Sequence, residues 1–262
     1  LCQYLRKLHL PQVVPPPDLA TLKLLQDAHL KYVPYENLDI LSGRLTSLEH
    51  DDMFAKIIMK NRGGICFELN GLYNWLLESL GYKVTSYAAR FIYRLEEYQI
   101  RRHRVMCVAL DGRSYLTDVG VNSESPRCPL ELTVDGANSE SPRCPLEMAE
   151  GKVQSDGISE YKFSRDPFFG WLLWQKERRK PWKRLFGFTE EQQLDMDFIP
   201  ACIYTDLHPD SPLNKGKAIS VFREDCNITI RGNLLKFYLG GRVKYRYTIN
   251  TEYDLKGVLW EY

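Results

Sequence analysis

Through the first eighty positions the apolar residues fall at helical intervals. Leu19, Leu22, Leu25 and Leu30 follow Pro15, Pro16 and Pro17 at near-helical spacing, and Met53, Ile57 and Ile58 mark a second segment. A third begins near Cys66, where Leu69, Leu72, Tyr73, Leu76, Leu77 and Leu80 form a wide apolar stripe that stops at Gly81. That stripe predicts a helix with a core-facing side. After Gly81 the pattern alternates, through KVTSYAARFIY, then HRVMCVAL, an Asp111-Gly112 turn and RSYLTDVGV, which together read as a hairpin. Further strand-like runs are KPWKRLFGF, KAISVF, NITIRGNLLKFYL and VKYRYTI. Helices first, strands next and a mixed tail predict an α+β protein rather than a doubly wound sheet.

One segment breaks the pattern. LTDVGVNSESPRCPLE (116–131) is followed at once by LTVDGANSESPRCPLE (132–147), a tandem copy offset by 16 residues. One repeat cannot build a solenoid, so the second copy is expected to form a surface loop. Its Asp135 has exchanged order with Val134 and is expected to face away from the side that Asp118 faces.

Composition narrows the classes. A chain of 262 residues, 44% hydrophobic and 12% aromatic, can bury a core without disulfide or metal support. With 35 basic and 34 acidic residues the formal net charge is +1, which supplies no long-range field for nucleic acid or an anionic membrane. No run of about 18 apolar residues is present and LCQYLRKLHL lacks a signal-peptide core, so a soluble, cytoplasmic protein is expected. Seven cysteines without CxxC pairing argue against a disulfide framework and a structural zinc site.

The candidate chemistry centres on RGGICFELN (62–70). Gly63 and Gly64 allow a tight turn and close backbone approach by a ligand just before Cys66. The helix beyond them aims unsatisfied N–H groups at the sulfur, which favours thiolate and offers amides to an oxyanion. Free cysteines are more often small buried hydrophobes, so the thiol needs a base beside it. Of five histidines, His103 opens the strand HRVMCVAL. If Asp111-Gly112 is a two-residue turn, Leu110 faces Arg113 and Val105 faces Asp118. His103 and Asp118 then become diagonal neighbours on one face, within reach of an imidazole–carboxylate hydrogen bond. A polar contact on a solvated face is the plainer alternative.

Arg62-Gly63-Gly64-Ile65-Cys66-Phe67-Glu68-Leu69-Asn70, preceded by Pro34-Tyr35-Glu36-Asn37-Leu38 and followed by His103 and Asp118-Val119-Gly120, resembles the arylamine N-acetyltransferase family. The separations, 37 residues from cysteine to histidine and 15 from histidine to aspartate, are similar too, as is His208-Pro209-Asp210-Ser211-Pro212. The resemblance implies three parts: a helical bundle (1–81) carrying Cys66, a central antiparallel β-barrel (82–185) carrying His103 and Asp118, and a C-terminal α/β lid (186–262). The core would be a cysteine-protease-like Cys-His-Asp arrangement. It further implies ping-pong transfer of acetyl from acetyl-CoA, as co-substrate and not as a permanently bound cofactor, through an acetyl-cysteine at Cys66. Acceptors would be arylamines, hydrazines or arylhydroxylamines. Tyr35, Ile65, Phe67 and Val121 would border the substrate. Tyr35 and Val121 both stand where phenylalanine is usual, which leaves acceptor preference open.

Glu36 and Arg62 are candidates to pair and hold the loop before Cys66, and Asn70, one helical turn on, to brace it. Lys176, Arg178, Arg179, Lys180, Lys183 and Arg184 form a basic run that would suit CoA phosphates, although Pro181-Trp182 within it favours a solvated hairpin tip. His208, beside Pro209, reads as a turn residue. No metal site is expected. Two other readings share these residues: a CoA-independent amide synthase of the same family, and a Cys-His-Asp hydrolase or transglutaminase-like enzyme.

Overall fold

The computed structural model describes residues 1–92, 99–121, 130–132, 151–155, 159–177, 180–223, 226–239 and 242–261. Its helical part comprises α1 (Cys2–Lys7), α2 (Leu19–Tyr32), α3 (Leu38–Leu41), α4 (His50–Phe54), which runs on into a π-helical turn over Ala55–Met59, and α5 (Cys66–Ser79). Asp18 starts α2 by accepting the Thr21 amide at 2.8 Å, the expected work of an N-cap carboxylate. Gly81 ends α5 because it takes φ +91°, which lets the Tyr82 amide turn back to the Leu77 carbonyl at 3.1 Å. The α5 stripe lies where the pattern put it. Leu69, Leu72, Tyr73, Leu76 and Leu77 are fully buried against Leu22 and Leu25 of α2 and Ile57. Each such leucine contributes about 1.5–3 kcal/mol by burial.

Eight strands follow: β1 (Lys83–Phe91), β2 (His103–Leu110), β3 (Arg113–Thr117), β4 (Leu130–Leu132), β5 (Gln154–Ser155), β6 (Ser159–Asp166), β7 (Gly170–Glu177) and β8 (Lys183–Gln193). They form one antiparallel sheet in the order β4-β3-β2-β1-β8-β7-β6-β5. The expected barrel is therefore a curled open sheet: among the described residues β4 and β5 are its two ends and do not pair with each other. Closure needs a ladder between the end strands, and these are three and two residues long. The inner residues Val105, Leu116, Tyr161, Phe163, Leu173, Leu185, Phe186 and Phe188 pack into one core. Strands β6 and β7 were not among the runs picked out by pattern. The expected boundary at 185/186 falls inside β8, which stays in this sheet to Gln193.

The β2–β3 hairpin has the anticipated register. Leu110 pairs with Arg113, and Asp111 and Gly112 both take positive φ, 51° and 74°, the combination a two-residue type I′ turn requires. Strand β3 takes its last two residues, Leu116 and Thr117, from the first copy of the duplicated segment, and β4 ends on Leu132, the first residue of the second copy. The surface-loop expectation for the rest of the second copy, 133–147 and Asp135 with it, falls outside the described residues.

A 3₁₀ turn (Asp195–Phe198) leads into α6 (Ile199–Leu207), then into a second antiparallel sheet of β9 (Ala218–Phe222), β10 (Cys226–Arg231), β11 (Leu234–Leu239) and β12 (Arg242–Thr248), and finally α7 (Glu252–Glu261). Its order is β12-β11-β10-β9. Strand β9 docks on the helical part through Tyr35, whose amide donates to the Ser220 carbonyl at 2.8 Å and whose carbonyl accepts the Ser220 amide at 2.9 Å. No described helix is long and apolar enough to cross a membrane.

Candidate active site

Cys66 is the first residue of α5, so its sulfur stands at the positive end of a 14-residue helix. Holding it there is mostly the task of the loop before it. Gly63 and Gly64 serve this loop differently from the sequence expectation: it is the protein itself that approaches. A Cβ on Gly63 would lie 2.0 Å from the Pro34 carbonyl oxygen, and one on Gly64 would lie 2.8 Å from Glu68 Oε2. The loop is pinned to residues 34–36 by the Glu36 amide donating to the Gly64 carbonyl at 2.9 Å.

The expected Glu36–Arg62 pair is present. Arg62 Nε and Nη2 donate to Glu36 Oε1 at 2.9 and 2.7 Å, and Nη2 also reaches Asp39 at 3.1 Å. The network extends to residues not singled out in the sequence. Lys56 joins Asp39 at 2.9 Å and Glu68 at 2.8 Å, and Glu68 Oε2 accepts the Ile65 amide at 2.9 Å. Burial pushes the Glu68 carboxyl up, and Lys56 and the Ile65 amide act against it. A glutamate at the third position of a helix is the signal that could have found Glu68. Asp39 and Lys56 carry no comparable local mark.

His103 and Asp118 lie on the sheet above the helix mouth. His103 Nε2 donates to Asp118 Oδ2 at 2.7 Å, with both residues buried. Nδ1 has no hydrogen-bond partner among the described residues, and the Cys66 sulfur is near enough to act on the charge of the ring. That sulfur lies 3.7 Å from the Arg102 carbonyl oxygen. Phe91 and Phe186 pack on the imidazole, with centroids 4.8 and 5.4 Å away.

Asn70 does more than brace a loop. Its Nδ2 donates to Asp118 Oδ1 at 2.8 Å and to the Arg104 carbonyl at 2.6 Å, while its Oδ1 accepts the Val119 amide at 2.9 Å. The Gly120 amide adds a second bond to Asp118 Oδ1 at 2.8 Å. Gly120 itself packs so tightly that a Cβ there would lie 2.8 Å from Cys66 Cα. Asp118 is therefore held by three donors, one of them the imidazole.

Burial alone would push His103 down. The Asp118 carboxylate, by charge and hydrogen bond, and then Cys66 outweigh it and hold the imidazole up at about 9. His29, in the core between Tyr4 and Tyr73, meets no counter-charge among the described residues, so burial, assisted by the charge of Lys7, pushes it down to about 3. These two histidines act on opposite limbs of a stability curve. Native His29 is neutral, so its contribution is present above about pH 6.5 and is lost on acidification towards 3, at about 1.4 kcal/mol per pH unit. Native His103 is charged, so its contribution is present below about pH 6.5 and is lost as pH rises through 9. Denaturant unfolding across pH should show His29→Leu reducing the slope of the acid limb by about 1.4 kcal/mol per pH unit and leaving the alkaline limb in place. An acid limb of unaltered slope would refute the assignment.

The remaining sequence candidates fall as follows. Ile65 and Phe67 are each 1% exposed and pack around Cys66 with Phe198, Cys202 and Leu213. Val121 is buried in the sheet core beside Phe186 and Leu116. Tyr35 is half-buried where the helical core meets the packing around Cys66. The basic run occupies the β7–β8 turn: Lys176 pairs with Glu160 at 2.8 Å, Lys183 with Glu177 at 3.2 Å, and Lys180 with Glu177, while Arg178 and Arg179 lie outside the described residues. His208 stacks on Tyr204 at 4.3 Å and accepts the Asp210 amide at 3.1 Å, which makes it a turn residue. Among the described residues no group of three or more His, Cys, Asp or Glu is placed to hold a metal ion.

Fold and site define an α+β protein in which a helical bundle presents a cysteine to a histidine–aspartate pair on a curled antiparallel sheet. Residues 18–262 match the family described as N-acetyltransferase. An arylamine N-acetyltransferase of Mycolicibacterium smegmatis is 31% identical over 238 residues, 88% of this chain and 80% of that protein. One from Mycobacterium tuberculosis is 31% identical over 230 residues, 84% of this chain and 75% of that protein. A solved M. smegmatis N-arylamine acetyltransferase superposes with a TM-score of 0.87 at 27% identity, covering 99% of this chain and 90% of that one. The fold is also that of the Mycobacterium marinum arylamine N-acetyltransferase solved in complex with CoA, at a TM-score of 0.84 and 24% identity, covering 98% of this chain and 89% of that one. The chain belongs to the N-acetyltransferase family, whose members are acyltransferases.

Proposed function

We propose that the protein transfers acetyl from acetyl-CoA to arylamine, hydrazine or arylhydroxylamine acceptors through an acetyl-cysteine at Cys66. The observation that carries this is the imidazole between Asp118 and Cys66, held up at about 9. At neutral pH it is an imidazolium, a proton donor beside the Cys66 sulfur at the helix mouth. The thiolate attacks the acetyl carbonyl of acetyl-CoA, the carbon–sulfur bond to CoA breaks, and CoA leaves as the thiol with the proton from His103. The α5 first-turn amides, which have no intrahelical partner, are donors for the tetrahedral oxyanion. An amine then attacks the thioester, His103 takes the amine proton, and Cys66 departs as thiolate. Asp118, held by Asn70 and Gly120, fixes the ring tautomer throughout. The relatives' names support the acceptor class, and the CoA complex of the M. marinum protein supports the donor.

Acetyl-CoA supplied without amine should leave one acetyl group per chain on Cys66 and release an equal amount of CoA, read by mass spectrometry and thiol titration. No adduct and no CoA binding by calorimetry would reject the reading. Peptide or amide cleavage would move the same residues to a hydrolase.

A further inference from the structure

His103 and Arg104 are adjacent on β2, so their side chains leave the strand on opposite faces. The Arg104 side chain is almost fully buried, yet its guanidinium is held by a residue of the C-terminal part. Nη1 lies 2.7 Å from Asp195 Oδ1, and the Asp195 side chain is 68% exposed. Nε donates to Ser86 Oγ at 3.1 Å, and Cζ sits 5.0 Å from the centre of the Phe198 ring. Phe198 in turn packs on Phe67 at 5.9 Å, within the group of buried residues that encloses Cys66. At its other end, the Arg104 carbonyl takes the Asn70 bond that accompanies the Asn70 bond to Asp118. One residue thus touches both the turn that packs on Phe67 beside Cys66 and the amide that holds Asp118.

We propose that Arg104 is a positioning residue: its pair with Asp195 fastens the Asp195–Phe198 turn over Phe67 and so keeps water from acetyl-Cys66. This rests on the acetyl-transfer reading. A buried cation needs its counter-ion, and here that counter-ion is carried by the covering turn, so removing the charge at 195 frees the turn at its entry. A thioester with water admitted loses acetyl as acetate: the water oxygen forms the new bond to the carbonyl carbon, the carbon–sulfur bond breaks with Cys66 leaving as thiolate, one water proton passes to His103 and the other to solvent as the acetic acid ionises.

Asp195→Asn keeps the size of the side chain and removes its charge. In the absence of amine it should hydrolyse acetyl-CoA about ten-fold faster than wild type, and iodoacetamide should alkylate Cys66 faster by a similar factor. Asp195→Glu, which restores the charge, should bring both rates back towards wild type. A folded Asn variant with wild-type hydrolysis and alkylation would overturn the proposal. So would an equal rise in Asp166→Asn, which loosens the β6–β7 turn instead, because the effect would then be general loosening. Failure of the wild-type protein to form acetyl-Cys66 would remove the acetyl-transfer reading, and alkylation alone would then decide whether Asp195 fastens the turn.

Discussion

Cys66→Ser should lose acetyl transfer almost completely, on the order of 10⁶ in turnover as when a triad nucleophile is removed, while the protein stays folded. Serine is close in volume, so the packing of Ile65, Phe67, Phe198 and Leu213 around position 66 is kept. What disappears is the acidity. A thiol can surrender its proton to an imidazole held at about 9, whereas an alcohol is far too weak an acid to do so. An oxygen ester at this position would also be a poorer acyl donor to an amine than a thioester. Steady-state turnover and thermal unfolding measured together decide the matter, and near-normal turnover in the serine variant would take Cys66 out of the mechanism.

Asp118→Asn should cost on the order of 10⁴ in turnover, with Asp135→Asn costing little. The reason lies in what surrounds the carboxylate. Oδ1 receives donors from Asn70 and Gly120, and Oδ2 receives the imidazole N–H. An asparagine must turn its NH₂ towards one side or the other and meets a donor either way. The escape open to it is for His103 to present Nε2 as an acceptor, which moves the ring proton to Nδ1, the nitrogen left for Cys66. The charge that holds the imidazole up is lost as well, so His103 no longer stays protonated at neutral pH. The opposite ranking, with Asp135→Asn the damaging change, would assign the carboxylate to the second copy of the duplicated segment.

Much of this site was legible because its geometry is local. The Asp111-Gly112 turn sets the β2–β3 register, strand alternation then puts His103 and Asp118 on one face, and the structure places them 2.7 Å apart. The three helices of the first eighty residues were legible for the same reason, since apolar spacing reports directly on which side is buried. Strands β6 and β7 were not. SEYKFSRD and GWLLWQKE supply the inward-facing Tyr161, Phe163, Trp171 and Leu173, but each carries only two of them, too short an alternation to mark a strand. Nor was the purpose of Gly63 and Gly64 legible, because the Pro34 carbonyl that crowds Gly63 lies 29 positions earlier and nothing near the motif announces it.

The sequence by itself determined the helix that begins at Cys66, the hairpin that pairs His103 with Asp118, and the Glu36–Arg62 clasp, since each follows from short-range periodicity, turn chemistry or motif. Only the tertiary structure decided that the sheet, among the described residues, curls without closing, that Asn70 grips Asp118, that Lys56 and Asp39 complete the charge network, and that Arg104 ties β2 to the turn over Phe67. Those contacts join segments far apart in the chain. They are selected by which apolar faces must be buried together, and a linear pattern shows that a face exists without showing what will meet it.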